Sequence, residues 1–138
     1  MADVFTPDKR REVMASIKSK NSKAELTVFR YLRSKKIYFQ KHYKRAVGTP
    51  DLALPRKKRA VFVDGDFWHG RRIDEMIQKN GFDNYWTMKI LRNIERDKTQ
   101  RSALRRSGWS VLNVWESDIN RKRTRSEVLA SIEAFLLE

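Results

Sequence analysis

Cysteine is absent from these 138 residues. That excludes disulfides and cysteine-ligated zinc at once, and is compatible with a cytoplasmic protein. Only 3 Pro and 5 Gly stand beside 40% hydrophobic residues, a balance that argues for a folded chain over a disordered basic tail. No segment approaches the roughly 20 apolar residues of a membrane-spanning helix. Met1-Ala2-Asp3-Val4-Phe5-Thr6 has no basic stretch followed by an apolar one, so no secretory signal is expected. Acids are scarce too: 17 Asp and Glu face 31 Lys and Arg spread along the whole chain, for a net charge of +14. At a pI near 10.4 such a surface is the electrostatic footprint of phosphate binding, and it points to nucleic acid rather than membrane as partner. The length bounds the rest to one domain, residues 1–138, with a single ordinary core.

Periodicity divides the chain into helix, helix, three strands, helix, strand and helix. Residues 8–20 read as a short basic helix on which Val13 and Ile17 share a face with Met14 beside them. Ser22-x-x-Glu25 forms a capping box for a second helix carrying Leu26, Phe29 and Leu32. Residues 37–43 alternate loosely as a strand, and a hairpin follows. Residues 71–84 read as a loop with a helical turn around Asp74 to Lys79. A long basic helix from about Tyr85 to Arg106 places Trp86, Ile90, Ile94 and Leu104 roughly on one side, and Ser107-Gly108 ends it. The strand Trp109–Trp115 comes after a helical crossover and is therefore expected parallel to the preceding hairpin strand. Thr124-x-x-Glu127 reads as the capping box of a last helix buried through Val128, Leu129, Ile132, Phe135 and Leu136. The expected fold is α/β, a mixed sheet flanked by helices.

The hairpin holds the chemistry. Gly48-Thr49-Pro50-Asp51-Leu52-Ala53-Leu54 and Val61-Phe62-Val63-Asp64-Gly65-Asp66-Phe67-Trp68-His69-Gly70 flank the charged turn Pro55-Arg56-Lys57-Lys58-Arg59. A turn centred between Lys57 and Lys58 sets Asp51 directly across from Asp64, with Cβ atoms roughly 5 Å apart. Carboxylates that close repel each other unless a cation lies between them, which makes a Mg²⁺ site the natural reading. Asp66 is expected on the opposite face from Asp64. His69 lies near the mouth of that site, and an unperturbed imidazole titrates near pH 6.5, which suits deprotonation of an attacking water. Glu95 and Asp97 are the acids placed to fix its tautomer. His42 sits in a basic run with no acidic neighbour and receives no role. Glu25 by sequence alone is the capping-box acid. Phe67 and Trp68 are adjacent, cannot both face one sheet core, and with Trp86 make a plausible base-stacking wedge. A carboxylate metal site with a histidine on a strongly basic chain reads as a nuclease.

Taken together, Met14, Glu25, Gly-Thr-Pro-Asp51, Phe67-Trp68-His69, Tyr85-Trp86, Asn93-Ile94-Glu95-Arg96-Asp97 and Gly108-Trp109-x-Val111-Leu112-x-Val114-Trp115-Glu116 resemble the very-short-patch repair (Vsr) family of DNA mismatch endonucleases, within the PD-(D/E)xK nuclease superfamily. The resemblance covers nearly the whole chain and implies a restriction-endonuclease-like fold. It implies that Asp51 holds Mg²⁺ together with the main-chain carbonyl of Val63, that His69 is the base supported by Asp97, and that Glu25 belongs to the site. Phe67, Trp68 and Trp86 would intercalate, with Met14 entering from the opposite groove. Members nick the strand carrying the T of a T:G mismatch.

Two departures stand out. Positions matching the structural zinc ligands of well-known members hold Asp66, Arg71, Ile73 and Ser117, so no structural zinc is expected. A second histidine near the metal is replaced by Asp64, which restores a two-carboxylate arrangement with Asp51, and the superfamily's usual lysine is missing from the strand. The expected activity is Mg²⁺-dependent nicking of one strand of duplex DNA, mismatched DNA being the substrate and mismatch-repair proteins the candidate partners. The alternatives are a homing, restriction or phage-defence nuclease of other specificity, or a DNA-binding protein without catalysis.

Overall fold

A computed structural model describes residues 21–138. The helix expected over residues 8–20, and Met14 with it, lies outside the described residues. In chain order the elements are α1 (Lys23–Ser34), β1 (Gln40–Lys41), β2 (Leu52–Leu54), β3 (Arg59–Asp64), α2 (Ile73–Asn80), α3 (Tyr85–Arg106), β4 (Ser110–Trp115), α4 (Glu116–Asn120) and α5 (Lys122–Leu137). The strands form one sheet in the order β1-β2-β3-β4, antiparallel up to β3 and parallel between β3 and β4. The mixed α/β sheet flanked by helices is thus as expected, including the parallel strand after the α3 crossover. Among the described residues no helix is long and apolar enough to cross a membrane.

β3 is the spine. Both of its faces are covered, so its sequence Arg-Ala-Val-Phe-Val-Asp is a nearly continuous apolar run. Val61 and Val63 pack with Val28, Phe29 and Leu32 of α1 and with Ile132 and Leu136 of α5. Ala60 and Phe62 point the other way, towards Leu104 of α3. Side chains alternate along a strand, so Asp64 shares the α3 side with Phe62. That parity decides the site described below.

α1 starts at the predicted capping box, with both reciprocal hydrogen bonds between Ser22 and Glu25 present. Its buried face is Ala24, Glu25, Val28, Phe29 and Leu32, and Leu26 is exposed. α3 spans the predicted range because Asn84 Oδ1 accepts from the amides of Trp86 and Thr87, while Gly108, at φ 92°, follows the cap residue Ser107. Three expectations are corrected. The segment 37–43 contributes only a two-residue strand. The stretch expected to be a loop holds an eight-residue helix, α2, whose Ile73, Met76 and Ile77 give it a partly covered side. Thr124 does not cap the last helix: α5 begins two residues earlier, and the Thr124 hydroxyl donates to the Asp118 carbonyl at 2.6 Å.

Gly70 ends the segment that leaves β3. It has φ +72°, and a Cβ there would lie 2.9 Å from Ile90 Cγ2, 2.7 Å from Ile94 Cγ1 and closer still to Ile94 Cδ1. Gly81 has a similar φ of +77° with nothing within 4 Å. Both Ala variants carry the strain of a positive φ, about 1–3 kcal/mol, and only Gly70→Ala adds overpacking of about 1–3 kcal/mol. Urea denaturation of the two variants should therefore show Gly70→Ala to be the less stable; equal losses would mean that α3 yields freely to this loop.

Candidate active site

Glu25 is both a capping residue and a buried acid. Its Oε1 accepts the Ser22 amide at 3.0 Å, while Oε2 lies 3.9 Å from His42 Nδ1. Asp51 precedes β2, and its Oδ2 accepts the Val63 amide at 2.6 Å. One ligand atom from each of Glu25, His42 and Asp51 lies within 4.8 Å of the other two. Burial pushes the Asp51 carboxyl up, and the hydrogen bond and charge of Glu25 add to the rise. The Val63 amide offsets part of it, Asp64 adds a little more, and the carboxyl ends at about 9. Two carboxyls beside an imidazole, Glu25 buried and Asp51 and His42 half-buried, form a donor set that fits a divalent cation.

The partner of Asp51 is therefore not the one expected. The β2–β3 register pairs Leu52 with Val61 and Leu54 with Arg59, two residues out of step with the alignment that opposes Asp51 and Asp64. Pro55 opens the turn directly after Leu54, the Lys57 amide bonds back to Leu54, and Lys58 at φ 54° closes it, so the centre falls one residue early. On the other side of β2, Gln40 pairs with Ala53 and Lys41 with Leu52. Continuing that register brings His42 opposite Asp51, and the His42 amide donates to the Asp51 carbonyl at 2.9 Å. His42, given no role from the sequence, has Glu25 and Asp51 as its acidic neighbours. The signal was available in the antiparallel register of residues 37–43, but a strand of two residues is too short to announce it.

Asp64 faces α3, where Arg101 grips both of its oxygens, at 2.7 and 2.8 Å, and stacks 4.2 Å above the Phe62 ring. Its charge is thus met by a guanidinium, not shared with Asp51 across the hairpin. His69 Nδ1 lies 3.7 Å from Asp64 Oδ1 and hydrogen-bonds Asp97 Oδ2. A carboxylate only accepts, so the ring supplies the hydrogen from Nδ1 and a neutral His69 keeps Nε2 as its acceptor. Burial raises the Asp97 carboxyl, but the His69 hydrogen bond and the charges of His69, Arg101 and Arg96 outweigh it and leave it below the usual range. Of the two acids expected to orient His69, the structure brings Asp97.

Phe67, Trp68 and Trp86 meet with ring centroids 5.4–5.8 Å apart, all edge to face. Phe67 and Trp68 are half-buried, and Trp86 is only 1% exposed. Trp86 is therefore the floor of the cluster, and only the other two approach the exposed wedge the sequence suggested. The adjacent pair converges because β3 ends at Asp64 and the chain coils, with His69 N–H bonding Gly65 and Arg71 N–H bonding Asp66. Lys89 Nζ lies 5.6 Å from the Trp68 ring centre, and the Trp68 carbonyl accepts from Asn93.

The coil is clasped from outside. Asp66 accepts the Ser117 hydroxyl at 2.6 Å and the Ser117 amide at 3.1 Å, while Arg71 reaches Ser117 at 2.9 Å, Asp118 at 3.1 Å and Asp66 at 3.3 Å. Burial raises the Asp66 carboxyl, yet Ser117 and Arg71 together bring it below its ordinary value. Three of the four positions set against zinc ligands in the sequence thus hold one another by hydrogen bonds and charge. Glu116 was also missed. Its Oε1 would lie 2.8 Å from a Cβ at Gly65. Burial raises its carboxyl, the Ser22 side chain opposes the rise, and the Glu25 and Asp66 charges add to it.

The chain is similar in sequence to known proteins. A family model described as DNA mismatch endonuclease Vsr matches residues 2–75. A type II nicking enzyme of Neisseria meningitidis serogroup A is 38% identical over 123 residues, covering 88% of this chain and 87% of that one. A type II nicking enzyme of Xanthomonas oryzae pv. oryzae is 38% identical over 122 residues, 87% and 88% of the two chains. The DNA mismatch endonuclease Vsr of Escherichia coli K12 is 28% identical over 130 residues, 94% and 83%.

If the clasp holds the coil as a unit, Asp66 and Ser117 are energetically coupled. A double-mutant cycle with Asp66→Ala and Ser117→Ala, read by urea denaturation, should give a coupling of about 1 kcal/mol, within the range of roughly 0.5–3 for contacting polar groups. Strict additivity would show that the two residues act independently.

Proposed function

The chain belongs to the Vsr family of DNA mismatch endonucleases and is a DNA-nicking endonuclease; from that premise we propose that it nicks the T-bearing strand of T:G mismatches with Mg²⁺. The observation that carries the reading is the Glu25–His42–Asp51 donor cluster, with a histidine held by Asp97 on a neighbouring element. Asp51, Glu25 and His42, with the Val63 carbonyl that the resemblance adds, would hold the ion. A divalent cation there supplies positive charge to the scissile phosphate and its leaving oxygen. Asp64 is left out of the ligand set because Arg101 already neutralises it.

The protein's own groups do the rest. His69 Nε2 accepts the proton of the attacking water, and Asp97 keeps Nδ1 protonated and stabilises the ring once it is charged. Arg101 masks Asp64, so that His69 is governed mainly by Asp97. Phe67 and Trp68, supported by Trp86, stack against a displaced base, a role that the resemblance extends to Met14. A T:G wobble is cheaper to unstack than a Watson–Crick pair, which gives the selectivity a physical source. The relatives named as nicking enzymes support cleavage of one strand only. In this reading the enzyme works in the cytoplasm alongside mismatch-repair proteins.

The test is a nicking assay on matched duplexes that differ only in carrying T:G, another mismatch or a full pair. With Mg²⁺ the T:G duplex should be nicked on one strand, and excess EDTA should stop the reaction. Asp51→Ala should be inactive, and His69→Ala should lose about 10²–10⁴-fold in rate, the usual contribution of general base catalysis. Full activity of Asp51→Ala, or equal nicking of paired DNA, would defeat the reading.

A further inference from the structure

The sheet's outer edge carries a feature that the nuclease chemistry does not use. An open groove of about 1040 Å³ follows β1 and β2 from His42 to the hairpin turn. Lys41, Lys44, Arg45, Arg56 and Lys57 line it, and no acid does. Two of these cations have local duties: Lys57 Nζ donates to the Leu136 carbonyl at 2.8 Å, and Lys41 Nζ lies 5.8 Å from the Phe29 ring centre. Lys44, Arg45 and Arg56 are exposed, and among the described residues no carboxylate forms an ion pair with them. At the groove's rim Tyr38 is 93% exposed.

Position matters as much as charge. His42 belongs both to the groove wall and to the acid–histidine cluster, so the groove runs straight out of the candidate catalytic site. From Asp51 to Arg56 the chain covers five residue steps, at most about 16 Å at about 3.3 Å each. One strand of duplex DNA presents a phosphate about every 3.4 Å of helix axis, so a duplex lying along this length brings about five negative charges past Arg56 and on towards Lys44 and Arg45, which continue β1 past the Asp51 end. Concentrating unpaired cations beside a phosphodiester-cleaving site raises the free energy of the protein alone and lowers it when a polyanion lies across them.

We propose that this groove seats the phosphate backbone of the DNA flanking the nick on one side, through Lys44, Arg45 and Arg56. The proposal rests on the endonuclease reading above and extends it to a second contact region away from the scissile bond. It makes the enzyme's footprint asymmetric: one flank is gripped and the other is not.

The experiment is fluorescence anisotropy in EDTA, which measures binding without cleavage. The probes are T:G duplexes with both flanks long, the left flank trimmed or the right flank trimmed. Wild-type protein should lose affinity on trimming one flank and not the other. The triple variant Lys44→Ala/Arg45→Ala/Arg56→Ala should show a salt slope shallower by about 2.7, three contacts at roughly 0.9 each, and should no longer sense the trimming. A melting curve confirms that the variant is folded, and all three positions are exposed. An unchanged slope, or a triple variant that still senses the same trimmed flank, would overturn the proposal and leave the groove to some other acidic partner. Failure of the endonuclease reading shows up separately, as wild-type protein that nicks no duplex with Mg²⁺.

Discussion

Two carboxyls buried within reach of each other, Glu25 and Asp51, set the terms for the rest of the structure. Burial first, and then the hydrogen bond and charge of Glu25, raise the Asp51 carboxyl to about 9. Folding alone would not favour such a pair. The surrounding hydrogen bonds are arranged to keep it in place: the Ser22 capping box fixes Glu25, the Val63 amide fixes the Asp51 side chain, and the His42 amide fixes its carbonyl. Helix start, hairpin and edge strand thus converge on one acid–histidine cluster, and in the proposed function a divalent ion would turn its repulsion into affinity.

The opposite side of the sheet handles its acid differently. Asp64 is matched by Arg101 from α3, and His69 leaves the same strand end to meet Asp97 on the same helix. One long helix therefore neutralises a carboxylate and orients the His69 ring, while packing Trp86 beneath Phe67 and Trp68. The Asp66–Arg71–Ser117–Asp118 clasp closes the coil between strand and helix from without. Each side chain assigned to chemistry is held by at least one contact that does not itself react, the condition for precise placement.

Much of this was legible because local signals are strong where the chain is regular. Ser22-x-x-Glu25 started α1, Ser107-Gly108 closed α3, and the apolar run through Val61 and Val63 announced a strand, which the fold buries on both faces. The resemblance implied a place for Glu25 in the site and chose Asp97 over Glu95 as the partner of His69. What escaped was set by register and by turns. Asp64 was placed opposite Asp51 by a turn centre one residue late, and the same long-range pairing hid His42. Trp86 was read as part of the wedge, but it lies in the first turn of α3 under two rings that only a coiled backbone brings together. Thr124 looked like a cap and instead bonds back to α4. Cross-strand register is a tertiary property, and a period-2 pattern alone does not choose among shifts of two residues.

The pH dependence of folding stability bears most directly on the buried pair. A carboxyl raised above its unfolded value near 3.8 binds a proton in the folded state that the unfolded chain has released, so stability must fall as pH rises from about 4 towards 9. Urea unfolding of the wild type and Asp51→Asn in EDTA, repeated for the wild type with saturating Mg²⁺, isolates the effect from other titrating groups. The wild type in EDTA should lose stability relative to Asp51→Asn across that window, and Mg²⁺ should restore it at the alkaline end. Parallel profiles for the two proteins in EDTA, with no stabilisation by Mg²⁺, would mean that Glu25 and Asp51 are not a strained pair awaiting a cation.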